Sequence, residues 1–193
     1  MNRVLEVDAR KGTAEFRSCT EEELGWGGRS FIVHNLLENV DPGCDPLGPG
    51  NRFIVAHGLL GDTRLTTAGR FSVGGKSPLT GGVKEANVGG SFGQPMGRVG
   101  LKAIVLHGAP DKPVTRILVI RNDGAELVDA PELAGMESTP TLRALQERYG
   151  NNTGLIAIGP AGEQTLSAAC VTTTDHTGNQ LRVAGRGGMG AVM

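Results

Sequence analysis

Asn51-Arg-Phe-Ile-Val-Ala-His-Gly-Leu-Leu-Gly61 and Asn152-Thr-Gly-Leu-Ile-Ala-Ile-Gly-Pro-Ala-Gly162 lie over one another without a gap. Each starts at an asparagine, runs through a short apolar segment and breaks at a glycine. Downstream of each come a second extended run, a polar loop and a glycine cluster: Ala86-Asn-Val-Gly-Gly90 in the first half, Ala184-Gly-Arg-Gly-Gly188 in the second. The repeated order reads as an internal duplication, with units of about 1-100 and 101-193 in a single domain. A duplicated strand-and-loop unit sets its two loops on one side of a pseudo-twofold axis, where glycine-rich backbone lines one shared ligand.

Composition narrows the function classes. A chain of 193 residues is long enough to bury a real core as one domain or two closely fused halves. The formal net charge is −1, so nothing indicates a nucleic-acid partner or a membrane surface. Glycine is the outlier, at 31 residues, where average usage of about 7% gives roughly 14. These glycines cluster between apolar runs, the pattern of tight turns and close backbone approach. Cys19, Cys44 and Cys170 are single and widely spaced, without the pairing of a zinc or iron-sulfur cage. The N-terminus lacks the features of a signal peptide and no apolar run reaches the length of a membrane span, so a reducing cytoplasm is the expected compartment.

Local signals place the elements. Residues 3-8 and 13-18 alternate about Arg10-Lys11-Gly12, which predicts a β-hairpin. Thr20-Glu-Glu-Glu23 has the residues of a capping box opening a single turn. Phe31, Ile32, Leu36, Leu37 and Val40 fall at helical spacing, predicting a helix over 28-40 that Asp41-Pro42-Gly43 terminates. Strands are expected at 52-57, about 69-74, 102-107 and 116-121, with Asn122-Asp123-Gly124 turning into 125-129. A second helix is expected over 140-149, capped by Thr139, with Pro140 first and Leu142, Leu145 and Tyr149 on one face, closed by Gly150. Strands joined by short turns outnumber helices, which gives an α+β class with largely antiparallel sheets and about one helix per half.

Two glycine motifs fail on their mechanism. Gly185-Arg-Gly-Gly-Met-Gly190 matches the dinucleotide fingerprint as letters, but the full helix, second parallel strand and acidic residue about 20 positions on that its mechanism needs have no room before Met193. Gly69-Arg-Phe-Ser-Val-Gly-Gly-Lys-Ser77 has the wrong spacing for a phosphate-binding P-loop, and Pro78 stands where amide donors are needed. Backbone N–H groups freed at glycine turns, with fixed guanidinium forks, still suit phosphate and polar heterocycles. The candidates are Arg70, Lys76, Ser77, Asn87, Arg182 and Arg186, against the plain alternative that they are solvated turn residues. His34, His57 and His107 read as structural or solvent-facing imidazoles. His176, in Thr172-Thr-Thr-Asp-His-Thr-Gly178, has only Asp175 beside it and no nucleophile, so it forms no triad. Paired carboxylates in a pocket-like context are missing, so hydrolytic acid/base chemistry is unsupported. Trp26, flanked by glycines, is either a core plug or a flat surface for a ligand.

Gly25-Trp-Gly-Gly-Arg-Ser30, Asp41-Pro-Gly-Cys-Asp-Pro-Leu47, Gly69-Arg-Phe71, Lys76-Ser-Pro-Leu-Thr-Gly-Gly82, Asn87-Val-Gly-Gly90 and Ala184-Gly-Arg-Gly-Gly-Met-Gly-Ala-Val-Met193 together, in order and spacing, resemble the N-terminal domain of the aldehyde:ferredoxin oxidoreductases. The resemblance implies a β-rich saddle of two related halves carrying a tungsten (or molybdenum) bis-pterin. It places Asn87, Val88, Gly89 and Gly90, with Arg182, Val183, Ala184, Gly185 and Arg186, on the pterin phosphates. It places the backbone carbonyls of Asn87 and Ala184 on a bridging magnesium, a hard cation that takes oxygen donors. Arg70 matches the arginine between pterin and iron-sulfur cluster. Family enzymes are much longer, and their further domains supply the cysteine ligands of a four-iron four-sulfur cluster, the second pterin-binding surface and the acid/base residues. This chain stops where they continue, so no catalytic residue is expected in it. The implied partner is a larger subunit carrying those domains, with electrons passing on to ferredoxin as aldehydes become acids. The alternatives are a non-catalytic pterin-binding, storage or scaffold protein, pairing with itself through the saddle, or a truncated inactive domain.

Overall fold

A computed structural model describes residues 2–61, 63, 65–178 and 181–193. Turn and cap chemistry builds its N-terminal end. β1 (Arg3–Asp8) and β2 (Thr13–Ser18) pair antiparallel, turning where the Asp8 carboxylate accepts the backbone N–H groups of Arg10 and Lys11 at 3.0 and 2.9 Å. The capping box forms as expected, with Thr20 Oγ1 accepting from the Glu23 amide at 3.2 Å and the Glu23 carboxylate from the Thr20 amide at 2.9 Å. It opens the short helix α1 (Glu21–Gly25), which is followed by the 12-residue helix α2 (Gly28–Asn39).

A six-stranded sheet carries the first half. β3 (Arg52–His57), β4 (Phe71–Lys76) and β5 (Val83–Val88) form a meander. The short helix α3 (Gly93–Arg98) then leads into β6 (Leu101–His107), and the sheet order is β2-β1-β6-β3-β4-β5. Alternation along these strands divides the side chains between two clusters. Ile54, Ala56, Ala103 and Val105 face Phe31, Ile32 and Leu36 of α2. Phe53, Val55, Phe71, Val73, Ala86 and Val88 face the second half of the chain.

That second half packs a hairpin and a small sheet onto the large one. β7 (Arg116–Ile120) and β8 (Ala125–Asp129) pair through the turn expected at Asn122-Asp123-Gly124. The 12-residue helix α4 (Ser138–Tyr149) follows, burying Leu142 and Leu145 against Leu155 and Ala157. β9 (Ile156–Ala157), β10 (Val171–Thr174) and β11 (Leu181–Ala184) form a three-stranded meander, with α5 (Pro160–Glu163) inside it and α6 (Met189–Val192) after it. Both halves therefore run long helix, three-strand antiparallel meander, glycine loop, short helix. The class is mixed α and β with mostly antiparallel sheets, and six helices lie among the described residues, only two of them longer than a turn or two.

Several local expectations are corrected. Helix α4 starts at Ser138 with Glu137 as its flanking residue and no side-chain cap, so Thr139 and Pro140 lie inside the first turn. Gly150 closes it as expected, at φ 91°. Leu37, assigned to the apolar face of α2, is 71% exposed. β4 begins at Phe71, because Gly69 and Arg70 belong to the loop that borders a groove. β1 and β6 pair in parallel, the exception to antiparallel pairing among the described strands.

Candidate functional site

β5 is an edge strand of the large sheet and β11 an edge strand of the small one. The two edges lie side by side as a seam, with a groove opening on each flank. One groove, about 600 Å³, is lined by Arg70, Asn87, Val88, Gly89, Gly90, Gln94, His176, Arg182 and Val183, among others. The other, about 830 Å³, is lined by Arg29, Lys84, Glu85, Asn87, Val183, Gly185 and Arg186, among others. Asn87 and Val183 border both.

The glycine loops after the two strands hold the halves together by crossing over. Gly90, at φ 153°, presses on the other half so closely that a Cβ there would sit 2.5 Å from the Thr174 carbonyl oxygen. Ser91 then donates its backbone N–H to that same oxygen at 2.7 Å. In return, the Ser77 hydroxyl of the first half donates to the Gly187 carbonyl at 2.7 Å. Gly188, at φ 72°, leaves a Cβ only 2.1 Å from the Ser167 carbonyl oxygen and 2.9 Å from Pro78. No other residue type tolerates both the left-handed backbone and the contact.

Charge is distributed unevenly along the seam. Arg29 pairs with Glu85 at 3.0 Å, and Arg70 donates Nε to Asn87 Oδ1 at 2.5 Å and Nη2 to the Asn87 carbonyl at 3.1 Å. Arg182 and Arg186 are exposed and have no acidic or hydrogen-bonding partner among the described residues. These two guanidiniums, with the exposed Gly185 and the half-buried Gly89 beside them, suit a polyanionic ligand with a flat polar ring, so the donor set fits a phosphate-bearing pterin. Among the described residues no group of three His, Cys, Asp or Glu side chains could hold a metal ion.

The expected residues sort clearly. Arg70, Asn87, Val88, Gly89, Gly90, Arg182 and Val183 meet at the first groove, and Gly185 and Arg186 stand at the second. Ala184 lies between them with its side chain buried in the main core. Lys76 is not brought to either groove: its ammonium donates to the carbonyls of Pro42 and Cys44, tying down the loop after α2. Ser77 is buried on the Gly187 carbonyl. Trp26 lines neither groove, but is half-buried against the α2 cluster and stacks on His34 with ring centroids 4.2 Å apart. His57 is fully buried, with Nε2 2.6 Å from the Gly93 carbonyl oxygen. Reasoning from sequence did not single out Arg29, Glu85 or Ser72. The available signal was the spacing of Glu85 and Asn87, two apart on one strand and so on one face.

Comparison with known proteins identifies the family and the fold. The family described as aldehyde ferredoxin oxidoreductase, N-terminal domain, matches residues 4–193. The tungsten-containing aldehyde ferredoxin oxidoreductase of Pyrococcus abyssi is 40% identical over 99% of this chain, and that of Thermococcus kodakarensis is 39% identical over the same share. The chain spans 31% of the length of each of these relatives. Among solved structures, the active site complex BamBC of benzoyl coenzyme A reductase, in complex with 1,5-dienoyl-CoA, superposes with a TM-score of 0.90 at 32% identity, covering 100% of this chain and 29% of that one. No helix among the described residues is long and apolar enough to cross a membrane. The chain belongs to the aldehyde ferredoxin oxidoreductase family and corresponds to its N-terminal domain.

Proposed function

We propose that this domain holds the tungsten (or molybdenum) bis-pterin of an aldehyde-oxidising enzyme whose iron-sulfur cluster and acid/base residues come from a partner subunit or from sequence outside this chain. The observation that carries the reading is the seam itself, where two grooves flank one pair of strand edges and are lined by two exposed arginines that have no partner among the described residues. The two meanders and their crossed loops support a duplication in which each half contributes one wall.

When bound, the metal-pterin supplies the two-electron redox chemistry that converts an aldehyde and water to the acid, with two electrons passing by way of the cluster to ferredoxin. The chain's own residues bind and orient. Arg182 and Arg186 would neutralise the pterin phosphates, and the backbone of Asn87 to Gly90 and of Gly185 would add hydrogen bonds to them. The carbonyls of Asn87 and Ala184 would be the oxygen donors for a magnesium, a hard cation that takes such ligands. Asn87's carbonyl accepts one bond from Arg70 and keeps a second lone pair. Arg70 brings a fixed positive charge to the first groove, stabilising an occupant that becomes more negative on reduction.

The likeness to the BamBC complex favours a second reading, in which the same scaffold serves a benzoyl coenzyme A reductase. The higher identity to the aldehyde oxidoreductases, 40% against 32%, favours the first. The test is Arg182→Ala and Arg186→Ala in the full-length protein isolated without oxygen, with pterin released and quantified per chain. Each loss of a charge-assisted contact is expected to weaken retention by about tenfold or more. Unchanged pterin content in both variants would sink the assignment.

A further inference from the structure

A row of polar side chains runs beneath the seam from one groove to the other. Arg70 Nε donates to Asn87 Oδ1 at 2.5 Å, Asn87 Nδ2 donates to Ser72 Oγ at 3.2 Å, and the Ser72 hydroxyl donates to Glu85 Oε1 at 2.5 Å. The other Glu85 oxygen accepts from Arg29 Nε and Nη2 at 3.2 and 3.0 Å. The polarity of the row has one solution. A guanidinium only donates, so Asn87 must turn its oxygen to Arg70 and its NH₂ to Ser72, which leaves the Ser72 proton for Glu85. The three bonds from Arg70 to Glu85 point one way, from a cation to an anion, and so polarise and strengthen one another, while Arg29 meets the same anion from the other side.

Strand register builds the row. Ser72 and Asn87 are direct partners across β4 and β5, and Glu85 is two residues from Asn87 on the same face. Opposite Glu85 stands Gly74, where a Cβ would sit 2.7 Å from Ile32 Cγ2 of α2. Ser72 is 3% exposed and the Glu85 side chain 11%, so water screens the middle of the row little. Gly89 leaves room for the guanidinium, since a Cβ there would lie 3.1 Å from Arg70 Nη1.

We infer that Glu85 and Ser72 are positioning residues that fix the place and hydrogen-bonding direction of the Arg70 guanidinium at the mouth of the first groove. What Arg70 meets there rests on the proposed function; the relay does not. Arg182 lines the same groove without such a tie, which makes it an internal control.

The experiment uses the full-length protein as wild type, Ser72→Ala and Glu85→Gln, with and without its cofactor. Phenylglyoxal modification of Arg70 and Arg182 is followed by peptide mass spectrometry, and the midpoint potential of the metal centre is measured in the loaded protein. Without cofactor, Arg70 is expected to react about tenfold faster in Ser72→Ala and about threefold faster in Glu85→Gln, with the Arg182 rate unchanged. The loaded variants keep their pterin and shift the midpoint potential. Equal Arg70 rates in all three proteins overturn the relay, as does an equal rise at Arg70 and Arg182, which marks general loosening. A wild-type protein without pterin overturns the proposed function alone, because the labelling test still stands.

Discussion

The segments Asn87–Gly90 and Arg182–Gly188 hold corresponding places at the ends of β5 and β11, yet they are finished differently. In the first, the polar side chains are committed within the protein, Asn87 to Arg70 and Ser72, and through Ser72 to Glu85 and Arg29. In the second, Arg182 and Arg186 reach into the grooves without a partner among the described residues. One wall of the seam is pre-organised, and on the proposed function the other would be completed by what binds. Such a division suits a ligand that must be both held by charge and placed to within a hydrogen bond.

The contrast can be broken most severely at the loops' glycines. Gly188→Ala forces a methyl group to 2.1 Å from the Ser167 carbonyl at a left-handed backbone, and is expected to destabilise the fold by roughly 3–5 kcal/mol. Chemical denaturation of the full-length variant reads this directly, and a loss under about 1 kcal/mol would mean the loop has another seat.

A smaller effect tests whether charge away from the seam is held differently. At the N-terminal end Arg17 donates two 2.7 Å bonds to the Glu23 carboxylate. Burial pushes the Glu23 carboxyl up, and the Arg17 bonds and the Thr20 amide more than offset it, so its pKa lies below the ordinary range. A folded-state pKa below the unfolded one stabilises above the unfolded value and is lost as pH falls through the folded value. Wild-type stability should therefore drop on acidification below an unfolded value of 4.5. Arg17→Ala should cost about 1–2 kcal/mol at neutral pH, at the low end because Arg17 is partly exposed. It should also flatten that acid limb. An unchanged pH profile in the variant would assign the acid sensitivity elsewhere.

Gly89→Ala gives the smallest change. The nearest atom to its Cβ is Arg70 Nη1, at 3.1 Å on a flexible side chain, so the expected cost is well below that of Gly188→Ala, about 1 kcal/mol or less. Arg70 reactivity toward phenylglyoxal should change all the same. Comparable stability losses at Gly89 and Gly188 would erase the distinction between a loop that makes room for a side chain and one that seats the fold.

What could be read from sequence follows from the range of the forces involved. The Thr20 capping box, the hairpins about Gly12 and Gly124 and the close of α4 at Gly150 rest on neighbours a few residues apart, and they stand as expected. Leu37 fails because helical spacing finds a stripe but not its edge, and the stripe of α2 ends one residue earlier, at Leu36. The parallel pairing of β1 with β6 joins strands far apart in the chain, and no local pattern encodes it. At the site, Arg182 and Arg186 were visible as cations among glycines. Lys76 looked the same, yet the fold turned it to the carbonyls of Pro42 and Cys44. The relay needs the β4–β5 register, which brings Ser72 opposite Asn87, so Glu85 had no visible role until the strands were paired.

Native mass spectrometry of the full-length protein, isolated anaerobically from its own host, tests the seam as a metal-pterin site most directly. The expected result is a bound mass of one tungsten or molybdenum with two pterins, together with the iron-sulfur component. Wild-type protein that carries the iron-sulfur component but no pterin or metal would contradict it.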